Sequence, residues 1–270
     1  MKLFLAGIES RLSIQKALFG LTDMKVYLVG EAPWREKGLY DETITKYHPY
    51  ILESFLCVNN DTEKLLPYYG DFLLDSGAFT FLQSNRQGVD WDAYIRQYAA
   101  FIVRNDIQKY FELDIDTIVG YDKVIEYRKQ LEKLTGRQCI PVWHRSRGMA
   151  EYIRHCDEYP YVAIGGIAIK EIQRKEYPIF RKLIDIAHAK DVKVHGLGFT
   201  QINEIPKYHF DSVDSTAWLA GNRFGFLYQF DGKYMRRYSK PNYRITRYKE
   251  AALHNYCEWL KFQQYADKHL

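Results

Sequence analysis

The chain is 270 residues long, with 47% hydrophobic and 16% aromatic residues and a net charge of +4. This composition excludes a disordered chain, and no apolar run is long enough to predict a membrane-spanning helix. Its four cysteines form no CxxC pair and no signal-peptide pattern opens the chain, so we expect core thiols and a reducing, cytoplasmic setting.

Short apolar or β-branched runs, bounded by turn residues, predict eight strands. They cover residues 2–8, 50–58, 71–77, 110–116, 139–145, 161–167, 192–198 and 210–216. Apolar residues recur with helical spacing in four stretches, which predict helices. These stretches are 91–105, 123–136, 179–191 and the long terminal 250–270.

Alternating strands and helices predict an α/β fold with a parallel sheet, because parallel neighbours need a crossover connection. Eight strands in about 220 residues is typical of a (β/α)8 TIM barrel. We therefore predict a single domain over 1–270, with the barrel in about 1–220 and a basic extension with a long helix in about 221–270. Residues 59–70 are short for a crossover helix, so an open doubly wound sheet is the alternative.

Polar residues and glycines close six consecutive predicted strands. These ends carry Asp75-Ser76-Gly77, Asp114-Ile115-Asp116, His144-Arg145, Gly165-Gly166, His195-Gly196-Leu197-Gly198 and Asp214-Ser215. Any one Asp or Ser equally fits an N-cap, but six such ends on one face of a barrel predict a polar pocket. Two carboxylates from different strands suit chemistry at an acetal carbon, where one attacks the carbon and the other moves a proton.

Four motifs resemble those of the tRNA-guanine transglycosylase superfamily, a TIM-barrel family that exchanges guanine for a 7-deazaguanine. "DSGAF" (75–79) resembles its DSGGF motif, and "AIGGIA" (163–168) resembles its IGGLA strand. "VHGLG" (194–198) is similar to LMGVG, and "FDSVDS" (210–215) is similar to IDMFDC. The motifs occur in family order and cover about residues 70–220.

The resemblance implies that Asp214 is the nucleophile that attacks C1′ and forms a covalent glycosyl-enzyme intermediate. A slipped alignment puts Asp211 there, but the earlier aspartate of the motif then has no counterpart. Asp75 would be the general acid/base that assists guanine departure and takes the proton of the incoming base.

The resemblance also implies a base pocket. Phe79 would stack on the base, although simple packing under its loop fits that residue equally well. Asp114, or Asp116 as the competing candidate, would accept hydrogen bonds from the amino and ring N–H groups of the base. His144 stands where the family has a glutamine that reads the exocyclic edge. The other implied base contacts are Ser76, Gly165, Gly166, Ile167, His195 and Gly196.

The chain lacks a counterpart of the zinc subdomain that the family's tRNA enzymes carry, so we expect no metal and no cofactor. Because it lacks the zinc subdomain, the chain resembles the compact phage and bacterial 7-deazaguanine DNA transglycosylases. The implied partners are DNA and a free base such as preQ0 or preQ1, with no membrane and with tRNA less favoured. A phage-encoded protein would act in the host cytoplasm.

Residues 231–250 hold seven Lys or Arg against two acidic residues, a local charge of +5, so the remaining 250 residues sum to about −1. Basic residues interleaved with tyrosines suit phosphate contacts and stacking on unpaired bases, and equally a solvated surface. The candidate nucleic-acid contacts are Arg145, Arg147, Lys170, Arg236, Arg237, Lys240, Arg244 and Arg247.

Three other functions fit less of the sequence. The same exchange on tRNA is disfavoured by the missing zinc subdomain. A barrel that binds a modified base without catalysis is disfavoured because it needs neither Asp75 nor Asp214. An unrelated barrel that uses "GGIA" and "GLG" as a phosphate cradle ranks last, because no lysine stands at a strand end.

Overall fold

The structure is a computed structural model that describes residues 25–29, 47–78, 80–81, 88–199, 201–239 and 248–270, with the backbone alone at 25–29, 222–223 and 248–249. The protein is an α/β protein built on a parallel sheet. Its strands are β1 (Lys25–Val29), β2 (Tyr50–Ser54), β3 (Asp71–Asp75), β4 (Val142–Trp143), β5 (Tyr161–Ile164), β6 (Lys193–Gly196), β7 (Ser212–Ser215), β8 (Leu227–Phe230) and β9 (Met235–Tyr238). Its α-helices are α1 (Asn60–Leu65), α2 (Trp91–Arg104), α3 (Asp116–Val119), α4 (Tyr121–Thr135), α5 (Gly148–Glu158), α6 (Pro178–His188), α7 (Ala220–Phe224) and α8 (Tyr248–His269).

The main sheet runs in the order β3-β2-β1-β7-β6-β5-β4, and all of its neighbouring strands are parallel. Two isolated parallel bridges extend the pairing: Leu74 of β3 pairs with Tyr110, and Phe111 pairs with Ile140. Residues 110–111 are thus hydrogen-bonded to β3 on one side and to the segment just before β4 on the other. All of these strands point their carboxyl ends in one direction, because every pairing is parallel.

The helices form where apolar residues share one face and the ends are capped. The Asp90 carboxylate accepts the N–H of Ala93 at 2.9 Å at the start of α2, and the helix buries Ile95 and Tyr98. Helix α4 ends at Gly136, whose φ of +69° is the left-handed conformation that glycine adopts without strain.

The predicted helices at 91–105, 123–136, 179–191 and 250–270 are confirmed by α2, α4, α6 and α8. The predicted strand at 110–116 is wrong in extent, because only Tyr110 and Phe111 pair with neighbours. The strand predicted at 2–8 lies outside the described residues, whereas β1 at Lys25–Val29 was not predicted.

Part of the basic segment forms a hairpin, since β8 and β9 pair antiparallel. Helix α8 holds this hairpin: Asn255 accepts the Tyr228 amide and Glu258 accepts the Phe230 amide, each at 2.7 Å. Residues 240–247 of the basic segment lie outside the described residues.

All four cysteines are free thiols, as predicted, but they are not all in the core. Cys139 and Cys156 are buried, whereas Cys57 is exposed and Cys257 is half-buried. No helix in the described part of the chain has the length and apolar character needed to cross a membrane.

Candidate functional site

Asp75 ends β3, where the charges of the Asp214 and Asp114 carboxylates act on it. Its Oδ2 accepts the Gly77 amide at 2.9 Å. Burial, together with the charges of Asp214 and Asp114, raises the pKa of Asp75 to about 6, although the hydrogen bond from Gly77 opposes this shift. A carboxyl group with this pKa exchanges protons readily near neutral pH, as a general acid/base must.

The residues after Asp75 keep its carboxyl group in place. Gly77 has a φ of +81°, and a Cβ on it would lie 2.8 Å from Cγ of Leu56, so a larger residue would displace this turn. The Ser76 carbonyl accepts the hydroxyl of Tyr94 at 2.6 Å. The buried Ser76 Oγ has no hydrogen-bond partner within the described ranges. Phe79, the predicted stacking residue, lies outside the described residues.

Asp214 lies in β7 and is buried, with one carboxylate oxygen held by two donors. Oδ1 accepts the Gly198 amide at 2.5 Å and lies 3.2 Å from Nε2 of His195. Its other oxygen, Oδ2, carries no hydrogen bond from any residue that the structure describes. One oxygen is therefore anchored while the other is available to an electrophile.

A chain of buried hydrogen bonds orients Asp214. The Nδ1 atom of His195 lies 2.5 Å from the hydroxyl oxygen of Ser212, which also contacts the hydroxyl of Tyr161. Every contact is satisfied when Tyr161 donates to Ser212, Ser212 donates to Nδ1 of His195, and Nε2–H of His195 donates to Asp214. His195, predicted as a base contact, is fully buried and acts on Asp214 in this arrangement.

Asp211, the alternative nucleophile, occupies a different place. Its Oδ2 accepts the backbone amide of Val194 at 2.7 Å and lies 2.9 Å from Nε2 of His188 at the end of α6. Asp211 precedes β7, and three residues of extended chain span about 10 Å and reverse the side-chain direction. The carboxylate at the carboxyl end of the sheet is that of Asp214.

His144 follows β4 and lies between two carboxylates. Its Nε2 is 2.7 Å from Oδ2 of Asp114, and its Nδ1 is 2.9 Å from Oε2 of Glu171. Either neutral tautomer would point a nitrogen lone pair at a carboxylate, whereas the imidazolium donates to both. Burial lowers the pKa of His144, but hydrogen bonds and charge from Asp114, with the hydrogen bond to Glu171, raise it overall to about 9.

At the predicted base-contacting glycines, a side chain would collide with or crowd packed neighbours. A Cβ on Gly165 would lie 2.8 Å from Cε1 of His144, and a Cβ on Gly166, at φ +81°, would lie 2.7 Å from Oε2 of Glu171. A Cβ on Gly196 would lie 3.1 Å from Cε1 of Phe210. Glycine at 165 and 166 thus leaves room for the imidazolium and its second carboxylate. Ile167, which follows them, is 9% exposed.

Arg147 was predicted on the surface as a phosphate contact, and the structure corrects that placement. Its side chain is 2% exposed. The guanidinium donates to Glu112 at 2.9 Å, to Asp114 at 2.8 Å and to Asp116 at 3.1 Å. Asp116 is thereby occupied by Arg147 at the start of α3. Arg147 is therefore an interior residue.

The other predicted phosphate contacts that the structure describes are exposed. Arg145 forms an ion pair with Glu176, and Lys170 stands in the loop after β5. On the hairpin, Arg236 pairs with Asp231 at 2.7 Å, and the Arg237 guanidinium lies 5.1 Å from the ring centre of Phe226. Lys240, Arg244 and Arg247 lie outside the described residues.

Sequence reasoning missed several residues of this site, namely Glu112, Glu171, Ser212 and Tyr161. Glu112 carried a signal, since Glu112, Asp114 and Asp116 alternate along an extended segment and would share a face. No group of three or more His, Cys, Asp or Glu side chains in the described ranges is arranged to hold a metal ion.

Comparison of the chain with protein-family models found no match, and no curated protein matches it. The resemblance of the strand-end motifs to the transglycosylase superfamily therefore stays a prediction.

Proposed function

We propose that this chain is a base-exchange transglycosylase that replaces guanine in DNA with a 7-deazaguanine through a covalent glycosyl-aspartate intermediate. One observation carries the proposal: two carboxyl groups with different surroundings lie at the strand ends, and the charge of Asp214 raises the pKa of Asp75. Asp214 is anchored at Oδ1 and free at Oδ2 among the described residues, while the pKa of Asp75 is about 6. These are the properties of a nucleophile and of a general acid/base.

The proposed reaction has two displacements at C1′ of the target nucleoside. In the first, Asp214 attacks C1′, the bond from C1′ to N9 of guanine breaks, and protonated Asp75 gives its proton to the departing base. In the second, N9 of the incoming base attacks C1′, the bond to Asp214 breaks, and Asp75 takes the N9 proton. Protons and charges balance, and two inversions retain the configuration at C1′.

Asp114 suits recognition of the base, because a carboxylate accepts N–H donors. Guanine and 7-deazaguanines carry ring and amino N–H groups along one edge, which such an acceptor complements. Both N–H groups of His144 donate to Asp114 and Glu171. To perform the reading role that the family gives to a glutamine, His144 would therefore have to exchange its hydrogen bond to Glu171 for one to the base.

We also infer that the parallel sheet closes into a (β/α)8 barrel, with residues 110–111 as its shortest strand. The bridges from Leu74 to Tyr110 and from Phe111 to Ile140 support closure, because they join β3 to the segment before β4. The hydroxyl of Tyr98, in α2, lies 3.1 Å from the carbonyl oxygens of both Leu74 and Phe111 and reinforces this seam.

The exposed cations of the hairpin support a polynucleotide substrate. Arg236 and Arg237 are exposed on β9 beside Asp231 and Phe226, and their guanidinium groups keep donors that can contact phosphates. A guanosine within a duplex would have to be flipped out to reach the strand ends, at a cost of a few kcal/mol.

A base-exchange assay tests the proposal. The protein is incubated with guanine-labelled DNA, or separately with labelled tRNA, in the presence of preQ0 or preQ1. We expect label loss from DNA, and we expect Asp214→Asn to lower it by more than about a thousandfold. Asp157→Asn, a surface variant whose carboxylate pairs with Lys190, is the matched control. Label loss from tRNA alone would indicate an RNA substrate. Base exchange in neither DNA nor tRNA would refute the proposal.

A further inference from the structure

Arg147 stands at the centre of a buried ionic cluster directly behind the proposed base pocket. It closes the turn Arg145–Arg147 that follows β4. Besides its three carboxylate partners, its guanidinium donates to the Val142 carbonyl and lies 4.5 Å from the ring centre of Tyr121. The fork geometry of arginine allows one side chain to hold several carboxylates in fixed relative positions.

Glu112 holds the Arg147 guanidinium within the protein interior. It is fully buried; its Oε1 accepts Arg147 and the Val142 amide, and its Oε2 accepts Nε of Arg128 at 2.7 Å. Arg128 is 3% exposed and also donates to the hydroxyl of Tyr121 at 3.1 Å. Buried ion pairs of this kind are commonly no more stabilising than apolar residues of the same size, so stability alone does not explain the cluster.

Asp114 connects the ionic cluster to the proposed base pocket, because it contacts both Arg147 and His144. Arg147 donates to Oδ1 of Asp114 at 2.8 Å, and His144 lies 2.7 Å from Oδ2. The Asp114 carboxylate is therefore pinned at both oxygens and surrounded by two positive charges. Each oxygen keeps a further lone pair, so the pinned carboxylate can still accept an N–H from a ligand.

We infer that Arg147, held by Glu112, is a positioning residue that fixes the orientation of the Asp114 carboxylate for binding the edge of the incoming base. This inference rests on the proposed function. It assigns Arg147 a role in base affinity, not in phosphate contact. It also makes Asp114 rather than Asp116 the base acceptor, because Asp114 contacts His144 after β4, whereas Asp116 lies at the start of α3.

Kinetics of Arg147→Met and Arg147→Lys test the inference. Without Arg147, the Asp114 carboxylate is held only through its contact with His144 and loses its fixed orientation, so we expect KM for the free base to rise at least about tenfold, with kcat at saturating base nearly unchanged. Arg147→Lys should fall between Arg147→Met and the wild type, because an ammonium retains the charge but cannot hold three carboxylates in a fork. Arg137→Met is the matched control. It removes an arginine outside the Arg147 cluster that donates to the Ile107 carbonyl at 3.0 Å.

A purely structural role would lower the thermal midpoint and the active fraction with KM unchanged, and that result would overturn the inference. If Arg147→Met fails to fold, Arg147→Lys decides alone: a KM equal to that of the wild type would refute positioning.

One readout does not depend on catalysis. Asp114, Glu171 and Arg147 are the charged groups that act on the His144 ring, and the Arg147 charge lowers its pKa. Loss of the Arg147 charge alone would therefore raise the His144 pKa. If Arg147 positions Asp114, Arg147→Met also weakens the hydrogen bond from His144 to Asp114, which is the stronger influence, and in spectra of ¹⁵N-labelled histidine the His144 pKa should fall, whereas Arg137→Met should leave it unchanged. If the wild type neither binds nor exchanges a base, the proposed function fails. The His144 titration then still decides whether Arg147 positions Asp114, and an unshifted or raised His144 pKa in Arg147→Met would overturn that.

Discussion

Alkaline pH should destabilise this protein through His144. The ring lies between Asp114 and Glu171, and its pKa stands at about 9 in place of the usual 6.5. The sign follows from linkage: the stabilising contribution is fully present below pH 6.5 and is lost as the pH rises through 9. At about 1.36 kcal/mol per pKa unit, the contribution amounts to about 3 kcal/mol.

Urea unfolding of the wild type and of His144→Gln at a series of pH values measures this contribution. Lysines and tyrosines also titrate at alkaline pH, but they cancel in the difference between the two proteins. That difference in the free energy of unfolding should shrink by about 3 kcal/mol between about pH 6 and pH 10. Arg137→Met should follow the wild-type profile. A difference that stays constant across this range would refute the imidazolium held by two carboxylates.

Two further predictions concern Asp75 and the hairpin. The pKa of Asp75 is about 6 against an ordinary 3.8, so its stabilising contribution is present below pH 3.8 and lost as the pH rises through 6. Asp75→Asn should therefore raise the free energy of unfolding at alkaline pH by up to about 3 kcal/mol while lowering exchange at least about a hundredfold. Urea unfolding measures the first effect and the exchange assay the second. A variant that is no more stable than the wild type at alkaline pH would contradict the burial of an ionised Asp75. Replacing Arg236 and Arg237 with Ala should weaken DNA binding and reduce the slope of log K against log salt by about 1 to 2, measured by anisotropy titrations, and an unchanged slope would make the pair ordinary surface charge.

The positions of the principal candidate-site residues could be predicted from the sequence because strand ends are a local pattern. Apolar runs that stop at Asp75 and His144 mark where strands leave the core, and the structure brings both residues to the carboxyl ends of the sheet. The long helices were predictable for the same reason, since spacing and caps lie within one segment.

The partners of these residues could not be predicted, because they depend on contacts between distant segments. Arg147 follows a strand in a polar turn, which is typical of a surface residue, yet its carboxylate partners lie 31 to 35 positions away. Glu171 reaches His144 across 27 positions. The partners of Glu112 are distant in the same way, since its buried side chain pairs with Arg128 and Arg147.

The covalent bond between the protein and its polynucleotide tests the central claim most directly. The protein is incubated with a guanine-containing DNA without added base, denatured, and digested, and the modified peptide is located by mass spectrometry. We predict a deoxyribosyl adduct on Asp214 that is absent in Asp214→Asn and is released when preQ1 is added before denaturation. Base exchange without any adduct, or an adduct on Asp211 or another residue, would contradict the account.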